Sequence, residues 1–140
     1  MIILDTDCIS LLQRENFIEA SRLYKHLDQF FAGDIFTTII TFEEQMRGWL
    51  AFLNRDQSIE HQIFGYSKLH SAFNDFKTAK ILDFDERAAE AYAQLKADKI
   101  RIGTMDLKIA SIAPANDAML ISRNLADFEQ VPNLSVQNWV

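Results

Sequence analysis

The chain of 140 residues has one cysteine, two prolines and four glycines. A single cysteine, Cys8, excludes an internal disulfide framework and fits a reducing compartment. With Ile9, Leu11 and Leu12 beside it, Cys8 reads as a small buried hydrophobe rather than a nucleophile. So little glycine and proline leaves little room for linkers or disorder, and residues 1–140 read as one domain with no internal boundary. No apolar run reaches the length of a membrane span. The start, MIILDTD, has neither a basic region nor a signal-peptide hydrophobic run, which predicts a cytoplasmic protein.

Positive charge is also short, with 14 Lys and Arg against 20 Asp and Glu, a formal net charge of -6. Such a balance argues against gripping nucleic acid by bulk electrostatics. It leaves a nuclease open, because a bound cation reverses the local field of an acidic pocket. The three histidines, His26, His61 and His70, form no HExxH pattern, so histidine-based zinc chemistry has little support. His26 and His61 read as solvent-facing, and His70 borders an apolar stripe. What the chain does have is 49% hydrophobic residues and 11 phenylalanines, enough for a real core.

Ile2-Ile3-Leu4 reads as a buried strand that breaks at Asp5-Thr6-Asp7 into a helix carrying Ile9, Leu11 and Leu12. Asn16 is the predicted N-cap of a second helix, whose apolar residues recur from Phe17 to Phe31 until Gly33 stops it. Ile35 to Ile40 is rich in β-branched residues and predicts a second strand. Thr41 opens a helix striped by Phe42, Met46, Trp49, Leu50 and Leu53. After Asn54-Arg55-Asp56 a long helix from Ile59 to Phe76 completes a hairpin. A third strand at Ile81 to Phe84, helices around Ala88 to Leu95 and Met105 to Ala115, a strand at Ala118 to Ile121 and a short last strand at Leu134 to Val136 follow. Strands alternating with helices predict the α/β class: a parallel sheet of about four to five strands flanked by helices.

Ligands of open parallel sheets bind beyond the carboxyl ends of the strands. Asp5 follows the first strand. Glu44 falls in the first turn of the helix after the second strand, and Asp106 in the first turn of the helix before the fourth. Asn124 and Asp127 follow that fourth strand. Bringing Asp106 to the same edge calls for a long return through Lys96 to Gly103. Each residue also has a local explanation. Thr41-x-x-Glu44 has capping-box spacing, Thr104 can cap a helix whose dipole favours Asp106, and Asp5 can cap the first helix.

Convergence gives the acids a joint use. Magnesium and manganese prefer oxygen donors, and a divalent cation relieves the repulsion among clustered carboxylates while promoting in-line phosphoryl displacement. Thr6 and Ser122 flank these acids and either orient groups there or bond nearby backbone. Arg47, Lys108 and Arg123 are candidate phosphate contacts, with a surface ion pair to Glu43 or Glu44 as the alternative for Arg47. Pro114 is expected to kink or end its helix early and so to shift the strand that delivers Asn124.

On these residues the chain resembles the PIN-domain ribonucleases, specifically the VapC-type toxins of bacterial toxin–antitoxin pairs. The resemblance runs in order through LDTD (Leu4–Asp7), TFEEQMRG (Thr41–Gly48), IGTMDLKIA (Ile102–Ala110), ISRNLADF (Ile121–Phe128) and VPNLSVQNW (Val131–Trp139), essentially the whole chain. It implies a Rossmann-like PIN fold and an endoribonuclease dependent on Mg2+ or Mn2+. It implies transfer or ribosomal RNA as substrate, a cognate VapB-like antitoxin as partner, and no membrane association. Residue by residue, it makes Asp5, Glu44 and Asp106 the metal ligands, with Glu43 as the alternative register for Glu44. The fourth position, where many members carry an acid, falls on Asn124. Asn124 keeps a neutral oxygen but removes one charge; Asp127 could compensate, or simply cap the turn before Phe128. The competing reading is a catalytically weak protein- or RNA-binding module. The aromatic surplus of the hairpin (Trp49, Phe52, Phe64, Phe73 and Phe76) predicts a homodimer contact and a groove for an antitoxin helix.

Overall fold

The structure, a computed structural model, describes residues 1–14, 17–55 and 58–140. Five strands, β1 (Ile2–Leu4), β2 (Ile35–Thr38), β3 (Ile81–Leu82), β4 (Met119–Ile121) and β5 (Val136–Gln137), form one sheet in the order β3-β2-β1-β4-β5. Every pairing is parallel, and β1 is central, with Ile3 opposite both Phe36 and Leu120. The helices are α1 (Thr6–Gln13), α2 (Phe17–Leu27), α3 (Ile39–Leu53), α4 (Ile59–Thr78), α5 (Glu86–Ala97), α6 (Thr104–Ala115) and the single turn α7 (Leu125–Phe128).

Both faces of the sheet are covered, which is why β1 can be apolar at every position. Ile2 and Leu4 pack with Cys8, Leu11, Leu23 and Trp139 from one side. Ile3 points the other way, into Ile40, Leu107, Ile109, Ile112 and Phe128. Cys8 is buried, as its neighbours predict. His26 is exposed but not idle, since its ring stacks on Trp139 at 5.1 Å.

Several boundaries differ from those the sequence suggests. The second strand ends at Thr38, and Ile39 and Ile40 belong to α3. Thr38 is the N-cap: its hydroxyl accepts the Thr41 N–H at 3.1 Å, which outweighs the β preference of two isoleucines. The expected capping box of Thr41 and Glu44 is therefore absent, and Glu44 sits in the second turn of α3 rather than the first. On α6 the cap residue is Gly103, not Thr104. The fourth strand starts one residue later than expected, at Met119, and the last strand runs over Val136–Gln137. The expected cap at Asn16 and the break at Asp56 lie outside the described residues.

Pro114 neither kinks nor shortens its helix early. It occupies the last turn of α6, where its ring costs one hydrogen bond, and the helix closes just beyond it. Asp117, in the left-handed region at φ 51°, lets Ala118 N–H reach Ala113 O at 3.0 Å and Asp117 N–H reach Pro114 O at 3.2 Å. The paired bonds are those of a Schellman stop. A helix that leads directly into a parallel strand runs antiparallel to it, so α6 begins at the carboxyl edge of the sheet. Asp106 reaches that edge without any unusual return of the chain. Among the described residues no helix is long and apolar enough to cross a membrane.

Candidate metal centre at the carboxyl edge of the sheet

Asp5 leaves β1 in extended conformation and caps α1, its Oδ1 accepting the Cys8 N–H at 2.8 Å. Its carboxylate also takes a hydrogen bond from the Ser122 hydroxyl. Only 4% of Asp5 is exposed, and this burial raises its proton affinity against the opposing pull of those donors. Ser122, itself buried, accepts the Asn124 N–H at 2.9 Å, so it fastens the turn after β4 to the acid after β1.

Glu44 is held from the other side. Its Oε1 lies 2.7 Å from Thr6 Oγ1, and Thr6 Oγ1 lies 3.1 Å from Thr41 Oγ1. A hydroxyl has one proton, and the charged carboxylate is the stronger acceptor. The Thr6 proton therefore goes chiefly to Glu44, with the Thr41 hydroxyl oxygen as its second, longer acceptor. Thr41 is fully buried and stands 3.3 Å from the equally buried Thr38 hydroxyl. Three hydroxyls thus connect the end of β2 to the orientation of Glu44. The neighbouring Glu43 turns away to Arg47, at 2.6 Å in an exposed ion pair.

Asp106, in the first turn of α6, faces Glu44, Asp5 and Asp127. Burial, then repulsion from those three carboxylates, pushes its pKa up to about 6, opposed by a hydrogen bond with the Asn124 side chain. Asn124 Nδ2 also donates to Asp127 Oδ2 at 2.9 Å. The amide therefore bridges two acids, which a fifth carboxylate in its place could not do without being protonated.

Seven of the sequence-predicted residues meet here: Asp5, Thr6, Glu44, Asp106, Ser122, Asn124 and Asp127. The three predicted phosphate contacts make other bonds. Arg47 pairs with Glu43, Arg123 with Asp7, and Lys108 Nζ stands 6.0 Å from the Phe84 ring centroid. Asp7, held by Arg123, keeps its carboxyl below the ordinary range.

The donor set consists of carboxylates, hydroxyls and one amide, the chemistry of hard divalent cations rather than of zinc or copper. The fit is one of chemistry and charge. Among the described residues, no three His, Cys, Asp or Glu side chains already stand together as a metal-ligating group. Each acid is instead tied to a protein donor: Asp5 to Cys8 and Ser122, Glu44 to Thr6, and Asp127 to Asn124.

The sequence alone does not single out the groove that opens beside Glu44. Its walls come from α1, α3 and α4, and a reciprocal amide pair spans α1 and α3, with Gln45 Nε2 to Gln13 Oε1 at 2.7 Å and Gln13 Nε2 to Gln45 Oε1 at 3.0 Å. Only Trp49 and Phe52 in its lining belong to the aromatic surplus of the hairpin; the wall from α1 has no patterned spacing to announce it.

Comparison with known proteins places these features in a family. The family model for the PIN domain matches residues 2–134. Over 64 residues the chain is 36% identical to ribonuclease VapC2 of Rickettsia felis, a stretch covering 43% of this chain and 48% of that protein. The chain thus spans about half the length of the curated relatives it matches. Among solved structures, FitAcB from Neisseria gonorrhoeae superposes with a TM-score of 0.73 at 27% identity, covering 99% of this chain and 97% of that one. VapBC2 from Rickettsia felis, bound to a DNA fragment from its promoter, superposes at 0.72 over the full length of both chains, with 24% identity and hence a likeness of fold.

Proposed function

Because the chain belongs to the PIN-domain family, we propose that it is a divalent-metal-dependent endoribonuclease of the VapC toxin type. The observation that carries this reading is the meeting of Asp5, Glu44 and Asp106 at one sheet edge, where burial first, and then repulsion from the neighbouring acids, lifts Asp106 to about 6. Its similarity to a protein named ribonuclease VapC2 supports the choice of reaction.

Asp5, Glu44 and Asp106 would hold Mg2+ or Mn2+, which supplies positive charge to polarise the phosphodiester and to stabilise the leaving 3′ oxygen. The chain's own groups do the positioning. Thr6 fixes the rotamer of Glu44, Ser122 and the Cys8 N–H fix Asp5, and Asn124 spaces Asp106 from Asp127. Asp106 gives up its proton when positive charge arrives. The products carry 5′-phosphate and 3′-hydroxyl ends, and transfer or ribosomal RNA is the substrate class.

The partners in this reading are a second copy of the chain and a VapB-like antitoxin. Apolar side chains exposed along the α3–α4 hairpin support them: Leu50, Ile59, Ile63, Phe64, Tyr66 and Phe73 are each about half exposed or more. Residues 1–140 act as one domain in the cytoplasm. Incubating purified protein with labelled RNA in Mg2+, in EDTA, and as the Asp106→Asn variant tests the proposal. Cleavage should require the cation and fall at least about 100-fold in the variant; cleavage indifferent to both would overturn it.

A second reading, a catalytically weak binding module, draws on Asn124 in the fourth position and on acids not yet gathered as ligands. Calorimetric titration with Mn2+ separates the two, since a degenerate site takes up no Mn2+ at millimolar concentration.

A further inference from the structure

Beside the acidic centre lies a cavity of about 550 Å³ whose lining includes Thr6 and Glu44, so it opens straight onto the candidate site. We propose that this cavity is a nucleoside subsite: it takes one unpaired RNA base, stacked on Trp49, next to the phosphate being cleaved. The proposal rests on the ribonuclease reading and names the form of RNA that the site accepts.

Gly48 helps keep the cavity open where it meets α3. On α3, Glu44, Gly48 and Phe52 follow one another at four-residue spacing and so share one face of the helix. A Cβ added at Gly48 would meet nothing within 4 Å. Gly48 therefore leaves one edge of the cavity open, one turn from Glu44. Trp49 lies five residues beyond Glu44, about 7.5 Å along the helix axis, within the reach of a single nucleotide. Its ring is buttressed by Phe52 at 5.7 Å and 70° and by Phe64 at 6.2 Å and 72°, a setting that holds an aromatic face still.

The rest of the lining suits RNA better than an apolar helix. Arg14, Arg55 and Lys68 come from three different segments around the cavity. The Gln13 and Gln45 amide protons are spent on each other, on Asp75 and on Ser10, so this pair offers a base edge only the second lone pairs of its oxygens. Stacking surface, cations for the backbone and a few hydrogen-bonding groups are what single-stranded RNA needs. A pocket of this volume is of small-ligand size. In a chain of net charge -6, the three cations of this lining outnumber its two acids, Glu44 and Asp75, and give the substrate a local approach that the overall charge denies it.

The test uses the full chain carrying Trp139→Phe, so that Trp49 is the sole tryptophan, in EDTA so that binding is read without cleavage. A fluorescein-labelled single-stranded RNA 12-mer and the same sequence as a duplex are titrated by anisotropy, and unlabelled RNA by tryptophan emission. The single strand should quench Trp49 and bind about tenfold tighter than the duplex. Gly48→Leu, which places an isobutyl group in the cavity wall between Glu44 and Phe52, should abolish quenching and weaken binding about tenfold, whereas Gly48→Ala should do neither. The exposed double variant Arg55→Gln/Lys68→Gln should weaken binding and reduce its dependence on salt; circular dichroism melts check that each variant is folded.

Unquenched Trp49, or Gly48→Leu binding RNA as tightly as Gly48→Ala, overturns the subsite. So does a Gly48→Leu protein that keeps wild-type RNA affinity but no longer binds a VapB-like antitoxin, a result that gives the groove to a protein partner. Cleavage by the wild type in Mg2+ with those outcomes leaves the ribonuclease reading standing. Absence of both RNA binding and cleavage in the wild type removes the parent reading instead.

Discussion

Arg123 grips Asp7 with two parallel hydrogen bonds, Nη2 to Oδ1 at 2.7 Å and Nε to Oδ2, joining the turn after β4 to the first turn of α1. Asp7 lies two residues from Asp5 and adds to the repulsion that raises the proton affinity of Asp5. Arg123 therefore acts as a charge divider: it neutralises an acid next to the centre that points away from it. Glu19, 3.7 Å from its Nη1, adds a weaker contact.

Replacing Arg123 by Gln should cost less than about 1 kcal/mol, because both partners of the pair are partly exposed. Urea titrations at low salt and at about 1 M salt should show the cost shrinking as salt screens the pair. Asp7 has a lowered proton affinity in the fold. Its contribution is present above the ordinary carboxylate range and is lost as pH falls through the lowered value. The variant should therefore lose less stability than the wild type on acidification.

Thr6→Val removes the only proton that Thr6 offers to Glu44 while keeping the β-branched shape. It should lower RNA cleavage about tenfold, the scale of one charge-assisted hydrogen bond of about 1.5 kcal/mol. Thr6→Ser should restore most of the rate. Equal rates for Val and Ser would show that Glu44 does not depend on this hydroxyl.

Asp106 makes the site sensitive to pH. Its pKa is raised from 3.8 to about 6, so the stability associated with its neutral form is complete below about 3.8 and is lost as pH rises through about 6. In EDTA, Asp106→Asn should be more stable than the wild type at neutral pH by about 1–2 kcal/mol, once solvent screening of a partly buried acid is allowed for. The difference should vanish near pH 4. Affinity for Mn2+ should rise across the same interval, because the cation competes with the Asp106 proton. Melting curves and Mn2+ titrations over about pH 4 to 7 measure both.

The sheet and the acidic cluster were legible because each rests on a short local signal at a strand end. Ile2-Ile3-Leu4 followed by Asp5 announces both the buried strand and the residue that leaves it. The start of α3 was not legible, because Thr38 and Thr41 are equally good caps by sequence. What decides between them is the pairing of Thr37 N–H with Lys80 O at 2.9 Å, which keeps the chain extended through that point. Pro114 misled for a related reason: its effect depends on how many residues of helix remain after it, and here almost none do. The partners of Arg47 and Arg123 could be narrowed only for Arg47, whose acid is four residues away, whereas Asp7 lies 116 residues from Arg123. The groove depends on the contact of two helices, which no single stretch of sequence encodes.

Two helical glycines should respond in opposite ways to the same substitution. A Cβ on Gly65 would stand 2.7 Å from Leu53 Cδ2 and 2.8 Å from Phe52 Cδ1, so Gly65→Ala should destabilise by about 1–3 kcal/mol despite the better helix propensity of alanine. Gly48→Ala meets open space and should stabilise by about 0.5–1 kcal/mol. Chemical denaturation of the two variants reads the contrast directly.

The repulsion centred on Asp106 also bears on how long the chain survives when it has nothing to do. Burial of Asp106 against three carboxylates is relieved when the carboxyl edge opens, so charge there favours opening at neutral pH. Whatever brings positive charge there slows that opening in proportion to its occupancy. An idle copy is thus the one a protease reaches first, and turnover of the protein becomes a readout of how fully its acidic edge is engaged.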